Sequence, residues 1–242
     1  MADGLLLLHA FPLDASMWQP QVDALRDEVT VVAPNLPGFG GTPLAGEVLT
    51  MDAAADAAAE AVRSAGLDRV VVCGLSMGGY VALAFWRRHR DLVAGLVLAN
   101  TKAGADDEAG RERRTALSAR LRAEGSGFLV ESPPPLLSAD APAELWDRVK
   151  GSIANQPAEA IAAASLGMAE RPDSTADLAG IDVPTLVITS TGDTLIPPEA
   201  TRPMADQIPG ARLEEIEGAG HLSNLEAADR FSDLLRAHLS AS

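Results

Sequence analysis

The chain has 242 residues, enough for one domain of ordinary size or two small ones. Hydrophobic residues make up 47% of the sequence and charged residues 22%, which is typical of a soluble globular protein. The formal net charge of −15 argues against anionic partners such as nucleic acid or an anionic membrane surface.

The sequence predicts a cytoplasmic protein. The single cysteine, Cys73, excludes an internal disulfide and a cysteine-based metal cluster, and its place in an apolar run predicts a buried core residue. The first apolar run, residues 5–8, is too short for a signal peptide and follows no basic region. No stretch approaches the roughly 20 apolar residues of a membrane span.

Short apolar runs alternate with helical patterns along most of the chain. Strands are predicted at residues 5–8, 29–33, 70–73, 92–99 and 184–190. Those at 5–8, 70–73 and 184–190 are interpreted as buried, and that at 92–99 as apolar. A sixth strand, at residues 212–217, alternates in character and is expected nearer an edge of the sheet. Helices are predicted at residues 18–25, 51–65, 80–89, 199–207 and 225–239. This order predicts an α/β protein with a mostly parallel sheet of about six strands and helices on both faces.

Residues 100–179 interrupt this alternation. The stretch has no strand-like apolar run, and its helical patterns cover residues 106–124, 143–154 and 158–169. The predicted organisation is a core domain of residues 1–99 and 180–242 with a helical insertion at 100–179. Because the alternation resumes directly afterwards, we interpret the insertion as a lid over the carboxyl ends of the strands. The alternative is a separate helical domain with no part in catalysis.

Gly74, Ser76 and Gly78 form the pattern G-x-S-x-G. A buried strand before this pattern and a helix after it are the context of a nucleophile elbow, where a tight turn exposes a serine hydroxyl. The flanking residues must be small, and the N-terminus of the following helix favours developing negative charge. Ser76 is the predicted nucleophile.

A serine hydroxyl needs a base to take its proton and a third group to orient that base. Asp193 follows the fifth predicted strand, and His221 follows the sixth. With Ser76, these residues would lie at the carboxyl ends of parallel strands, where open α/β sheets place their sites. We therefore predict that His221 is the base and Asp193 the orienting acid.

Other histidines and acids suit these roles less well. His9 ends a strand and is expected to be a structural hydrogen-bonding residue, while His89 and His238 lie on helices near charged residues and are expected to be solvated. Asp182 comes one strand too early for the acid. The position after the fourth strand holds Asn100, which cannot supply a charge.

Acyl transfer also needs donors for the oxyanion of a tetrahedral intermediate. One predicted donor is the backbone N–H of Met77, directly after the nucleophile. The other is the N–H of Phe11 in the loop after the first strand, because Ala10 is small and Pro12 has no N–H to offer. Phe11 is also expected to be a core aromatic residue.

The segments HAFPLD, GLSMGG and GAGHLSNLE, with the loop around Asp193, resemble the α/β-hydrolase superfamily over nearly the whole chain. They are most similar to small bacterial carboxylesterases and to lactonases near 3-oxoadipate enol-lactonase. The resemblance implies the α/β-hydrolase fold and a serine hydrolase with catalytic Ser76, Asp193 and His221, in the family's chain order. It further implies an oxyanion hole at Phe11 and Met77, no metal or cofactor, and a small ester or lactone as substrate. Monomer and homodimer both remain open.

Two features depart from the family pattern. The first strand begins within the first few residues, so the hairpin that usually precedes it is expected to be missing. The usual His-Gly pair is His9-Ala10, and the loop reads HAFP where enol-lactonases tend to carry a Ser-Asn-Ser-type stretch. This second difference favours a general esterase.

Other functions remain open on the same fold. The same triad could perform cofactor-free perhydrolysis of the haloperoxidase type or cleave a C–C bond, and an assay with acetate and peroxide would detect perhydrolysis. The chain could also be a non-catalytic ligand-binding module, although an intact candidate triad counts against that. Dehalogenases and epoxide hydrolases of this fold use an Asp nucleophile, whereas this chain has Ser76.

Overall fold

The computed structural model describes residues 3–241, so residues 1, 2 and 242 of the predicted core domain lie outside the described residues. Its strands are β1 (Gly4–Leu8), β2 (Thr30–Val32), β3 (Val70–Leu75), β4 (Val93–Ala99), β5 (Thr185–Ser190) and β6 (Arg212–Ile216). They form one sheet in the order β2-β1-β3-β4-β5-β6, and every neighbouring pair is parallel. The predicted α/β class and the number of strands are confirmed.

Helices flank this sheet, with α1 packed against α10 and α2 against α3. Within residues 3–241 they are α1 (Gln19–Leu25), α2 (Met51–Ser64), α3 (Met77–Arg88), α4 (Glu108–Glu124), α5 (Gly127–Glu131), α6 (Ala143–Ala154), α7 (Ala158–Ala169), α8 (Pro198–Gln207), α9 (Ser223–Glu226) and α10 (Ala228–Leu239). None of these helices is long and apolar enough to cross a membrane.

The burial of the strands follows their sequence pattern. Every residue of β1, β3, β4 and β5 is buried, because a parallel strand with helices over both faces has no side toward water. The two edge strands are β2, which has no fully buried residue, and β6, which exposes Arg212 and Leu213. The edge position predicted for the sixth strand is confirmed.

The strand order reverses between β1 and β3. The chain passes from β1 outward to β2, then crosses to the other side of β1 to form β3. A reversal of this kind opens a crevice at the carboxyl ends of the two strands. Phe11 follows β1 and Ser76 follows β3, so the crevice brings their two loops together.

Helices α4 to α7 fill the chain between β4 and β5, and we call residues 100–179 the helical segment. Within it, α4 packs along α7. Arg171, which follows α7, donates to the Gly104 carbonyl and to Asp106 Oδ1, both at 2.9 Å. The Ser174 N–H donates to the Ala103 carbonyl at 3.0 Å. These contacts join the two ends of the helical segment beside each other.

Three helices differ from their predictions. Helix α5 was not predicted, because its five residues are too few to show helical periodicity. Helix α3 begins at Met77 and not at residue 80. The helix predicted over residues 225–239 is two helices, α9 and α10, which meet at Ala227 (φ −124°, ψ 52°).

Candidate active site

Ser76 lies in the turn between β3 and α3, with φ 58° and ψ −117°. A positive φ is uncommon for a residue with a β-carbon and costs on the order of 1–3 kcal/mol, so neighbouring contacts must hold it. The Ser76 N–H donates to the Ala99 carbonyl (3.0 Å), and the Ser76 carbonyl accepts from the Thr101 hydroxyl (2.8 Å). The end of β4 thus fixes the strained turn.

The glycines on either side of Ser76 are close-packed. A β-carbon on Gly74 would lie 2.0 Å from the Gly78 carbonyl oxygen, and one on Gly78 would lie 2.0 Å from the Leu8 carbonyl oxygen. Contacts this short are sterically forbidden, so the pattern G-x-S-x-G is a packing requirement here. Gly78 lets the start of α3 approach the end of β1, next to the loop of Phe11.

His221 and Asp193 form a buried pair at the same edge of the sheet. His221 Nδ1 lies 2.8 Å from Asp193 Oδ2, and both side chains are 0% exposed. A carboxylate at Nδ1 favours the tautomer with its proton there, which leaves the lone pair of Nε2 available as a base. His221 Nε2 is buried and has no hydrogen-bond partner among residues 3–241.

Four donors hold the Asp193 carboxylate in one orientation. Oδ1 accepts from the backbone N–H groups of Leu195 and Ile196, both at 2.9 Å. Oδ2 accepts from Asn100 Nδ2 at 2.9 Å in addition to His221. Asp193 therefore shapes its own loop and at the same time orients the imidazole.

Asn100 connects this pair to a buried polar network that the sequence did not predict. It is fully buried and adopts a positive φ of 45° directly after β4. Its Nδ2 also donates to Ser190 Oγ (2.6 Å), and its Oδ1 accepts from Ser223 Oγ (2.6 Å). Ser190 Oγ donates to the Gly220 carbonyl (2.6 Å), next to His221. The only sequence feature that pointed to this network was the position of Asn100 and Ser190 at the ends of strands.

The two predicted oxyanion donors belong to elements that border Ser76. Met77 is the first residue of α3, and the first amides of a helix have no acceptor within it. Phe11 lines the same cavity as Ser76 and packs against the hydrophobic core. The role of the two amides stays a prediction.

His9 has the structural role that the sequence predicted. Its Nε2 accepts from the Leu36 N–H (3.1 Å), and its Nδ1 donates to the Ala10 carbonyl (3.0 Å). Burial lowers its pKa to about 4, against which the Ala10 carbonyl and the nearby Asp14 raise it. Cys73 is buried as predicted, and burial raises the pKa of its thiol.

The prediction that His89 and His238 are solvated is wrong. His238 is 3% exposed, because it lies among the buried residues of α10. Burial first, and then the charge of Arg212, lower its pKa to about 4. His89 ends α3 in a half-buried position, with Nε2 at 2.8 Å from Asp56.

A cavity of about 420 Å³ contains Ser76 in its wall. This volume lies in the usual range of small-molecule sites. Phe11 borders the cavity from the loop after β1. Most of the remaining lining is apolar and comes from the helical segment or from the loop after Asp193, for example Leu117, Leu136, Met168 and Ile196.

The chain belongs to the alpha/beta hydrolase family, whose model matches residues 5–234. This match agrees with the observed fold and confirms the predicted superfamily and the prediction of a hydrolase.

Individual relatives are named for ester and lactone hydrolysis. A pimeloyl-(acyl-carrier protein) methyl ester esterase from Aromatoleum aromaticum is 31% identical over 231 residues, which are 90% of each chain. The 3-oxoadipate enol-lactonase 1 from Acinetobacter baylyi is 27% identical and covers 95% of this chain and 86% of its own length. A malate-bound thermophilic esterase from Thermogutta terrifontis is 41% identical, with a TM-score of 0.94 over 100% of this chain and 91% of that one. These names support the carboxylic ester hydrolase class.

Proposed function

We propose that this protein hydrolyses a small carboxylic ester or lactone through an acyl-enzyme intermediate on Ser76. His221 acts as the general base and acid, and Asp193 orients it. The backbone N–H groups of Phe11 and Met77 donate to the oxyanion.

In the first half of the reaction, Ser76 Oγ attacks the substrate carbonyl while His221 Nε2 takes the hydroxyl proton. The oxyanion accepts hydrogen bonds from the Phe11 and Met77 amides, and Asp193 stabilises the imidazolium. The C–O bond to the alcohol then breaks, and His221 returns its proton to the leaving oxygen. In the second half, water attacks the acyl-enzyme with His221 again as base, which releases the acid and restores Ser76.

The observation that carries this proposal is the division of roles at His221. Its Nδ1 is bound to a carboxylate that three further donors hold, and its Nε2 is buried without a partner among residues 3–241. A buried polar atom without a partner is costly in a purely structural histidine, whereas a catalytic base needs that atom free for the hydroxyl proton.

Active-site labelling tests the proposal directly. A fluorophosphonate probe should label the wild-type chain once, at Ser76, and labelling should block turnover of p-nitrophenyl acetate. Ser16 provides a matched control, because it is an exposed serine hydrogen-bonded to a carboxylate, Asp14, without a histidine base. Labelling at Ser16 to the same extent, or turnover that survives labelling of Ser76, would contradict the proposal.

The helical segment acts as a lid that bounds the substrate cavity. Leu117 of α4 and Met168 of α7 contribute to the cavity wall, and the joined ends of the segment hold α4 and α7 over the site. Leu117→Trp should shift the acyl-chain optimum to shorter esters, and Ala119→Trp on the exposed face of α4 should not. An unchanged chain-length profile in Leu117→Trp would favour a helical domain without a part in substrate binding.

A further inference from the structure

The cavity around Ser76 has the opposite charge to the rest of the chain. Its charged lining residues are Lys102, Arg113, Arg114 and Asp106, so three cations face one carboxylate and leave a net charge of +2. The whole chain has 19 Lys and Arg against 34 Asp and Glu. This cationic wall departs from the acidic composition of the whole chain and creates a local attraction for anions.

The one carboxylate in the cavity wall, Asp106, is neutralised by arginines of the protein itself. Asp106 is 8% exposed, and its Oδ1 accepts from Arg171 at 2.9 Å, while its Oδ2 accepts from Arg114. Burial alone would raise the pKa of Asp106, but hydrogen bonds and charges from Arg171 and Arg114 outweigh it and hold that pKa below its usual value. Asp106 is thus ionised and paired with two arginines. Lys102 is a third cation beside it, with Nζ 3.3 Å from Asp106 Oδ1.

Arg113 is the cation of this wall that has no acidic partner. Its side chain makes no ion pair or hydrogen bond with any of residues 3–241, and it is exposed at the cavity. Each of the other four arginines of α4 donates to a carboxylate or a carbonyl oxygen: Arg111, Arg114, Arg120 and Arg122. Arg113 therefore supplies positive charge without any acidic partner, and Lys102 shares its one acidic partner, Asp106, with Arg114 and Arg171.

We propose that the cavity selects esters and lactones that carry a free carboxylate, which Arg113 and Lys102 bind. This inference rests on the proposed hydrolase function. A guanidinium binds a carboxylate through two parallel hydrogen bonds, and the Lys102 ammonium adds a point charge. The apolar lining from Leu117 and Met168 suits a short methylene chain between the ester and that carboxylate.

The test compares substrates that differ only in this charge. Monomethyl esters of dicarboxylic acids with four to seven carbons are paired with methyl esters of monocarboxylic acids of equal length. The wild type should have the higher kcat/KM for the charged member at one or more lengths. The ratio of charged to neutral kcat/KM should fall about tenfold in Arg113→Gln and in Lys102→Gln, and further in the double variant. Esters of a neutral acid with glycolate place the carboxylate on the alcohol and identify the side on which it is recognised.

Arg120→Gln is the matched control, because it makes the same charge change on α4 outside the cavity. It should leave the ratio unchanged. Two results would overturn the inference. One is a ratio near one in the wild type for both the acyl and the alcohol series, and the other is a preference that survives in the Arg113→Gln/Lys102→Gln double variant. Continued hydrolysis of neutral esters would show that the proposed hydrolase function still stands.

A binding measurement separates this inference from the proposed reaction. Calorimetric titration of the wild type with adipate and with hexanamide compares a ligand that carries carboxylates with a neutral ligand of the same chain length, without any turnover. Tighter binding of adipate that is lost in the double variant supports the charge selection even if no ester is hydrolysed. Equal binding of adipate and hexanamide would contradict it.

Discussion

The loops at the carboxyl edge of the sheet and the helical segment border the same cavity, but different forces hold them. The loops after β5 and β6 are joined by short buried hydrogen bonds such as that from Ser190 Oγ to the Gly220 carbonyl. The helical segment is joined at its base by a buried ion pair between Asp106 and Arg171 and along its length by packing of α4 on α7. One region is fixed mainly by uncharged polar groups and the other by charge and apolar contact.

This difference in stabilising forces suits the two regions to different roles. Ser76, Asp193 and His221 lie on turns that extend directly from strands, so the sheet sets their relative positions. Most of the charged and apolar residues that line the remainder of the cavity lie in the helical segment, which can change without disturbing the strands. Substitutions at the sheet edge should therefore lower kcat without altering substrate preference, and substitutions on the helical segment should do the reverse.

The largest effect is expected at the proposed nucleophile, Ser76. Ser76→Ala should lower kcat by about 10⁶-fold, as loss of the serine does in another serine hydrolase, because no group replaces its oxygen. Its melting temperature should change little, since alanine fits the same turn. Binding of adipate in the calorimetric assay should persist, because the helical segment is intact. Activity near the wild-type rate would show that the nucleophile lies elsewhere.

A smaller loss of activity is expected at the proposed orienting acid, Asp193. In Asp193→Asn the amide oxygen can keep the bonds from Leu195 and Ile196, so the new NH₂ group faces His221 and favours the wrong tautomer. By analogy with other triads, kcat should fall on the order of 10⁴-fold. The preference for charged over neutral esters should be unchanged, and steady-state kinetics on both ester series measures both quantities.

A competing role for Asp193, which lies shortly before Pro197, is to cap helix α8. The structure assigns the N-cap of α8 to Pro197, without a side-chain hydrogen bond, while Asp193 binds N–H groups in the loop before it. A melt lowered by several degrees with kcat unchanged would mean that Asp193 serves only this loop. A nearly unshifted melt with activity lost supports its place in the triad.

A third, weaker effect is expected at the network behind Asp193. Asn100→Gly keeps the positive φ but removes one donor to the carboxylate and the partner of Ser223 Oγ. A hydrogen bond to a charged group contributes about 1.5–3 kcal/mol, so kcat should fall about 10- to 100-fold with KM little changed. Ser223→Ala removes only the outer bond and should have a smaller effect. If Asn100→Gly kept the wild-type kcat, the hydrogen-bond network behind Asp193 would have only a structural role.

Local patterns explain why much of the fold was predictable. Continuous apolar runs identified the four central strands because parallel strands under two helical layers must be apolar throughout. The bounds of α6 and α7 match their predictions, since prolines precede both helices. The start of α3 was misplaced because Gly78 is a poor helix former, and its presence there is explained by close packing on Leu8, which the sequence does not display.

Contacts between distant residues explain what could not be predicted. Asp193 and His221 were recognisable because each follows a strand and has the side chain that a triad requires. Asn100 also follows a strand, but its uncharged amide does not reveal its bonds to residues 90 and 123 positions away. The pair of Asp106 and Arg171 spans 65 positions and lies in the region without a strand pattern. The burial of His238 depends on which face of α10 meets the sheet. Such placements follow from tertiary packing and not from local periodicity.

Acid should weaken the sheet region before the helical segment, and this prediction concerns stability and not kcat. The pKa values of His9 and His238 are lowered from 6.5 to about 4, chiefly by burial, and both residues belong to the part of the chain around the sheet. A lowered histidine pKa means that the unfolded chain binds more protons than the folded one between pH 6.5 and 4. Stability is therefore fully present above about pH 6.5 and falls as the pH approaches 4. His9 alone should account for about 3 kcal/mol of this loss by pH 4.

Asp106 has the opposite sign and a lower window. Its pKa is held below the usual 3.8, so the ion pair with Arg171 is retained above that value and lost only in stronger acid. Urea unfolding at pH 7, 6, 5 and 4 should therefore give a pH slope that His9→Gln reduces. Asp106→Asn should lower stability by about 3–5 kcal/mol at every pH, because it leaves the buried Arg171 charge unpaired, but it should keep the wild-type slope. The opposite result would be a pH slope that disappears in Asp106→Asn and persists in His9→Gln. It would mean that the helical segment, and not the sheet region, is sensitive to acid.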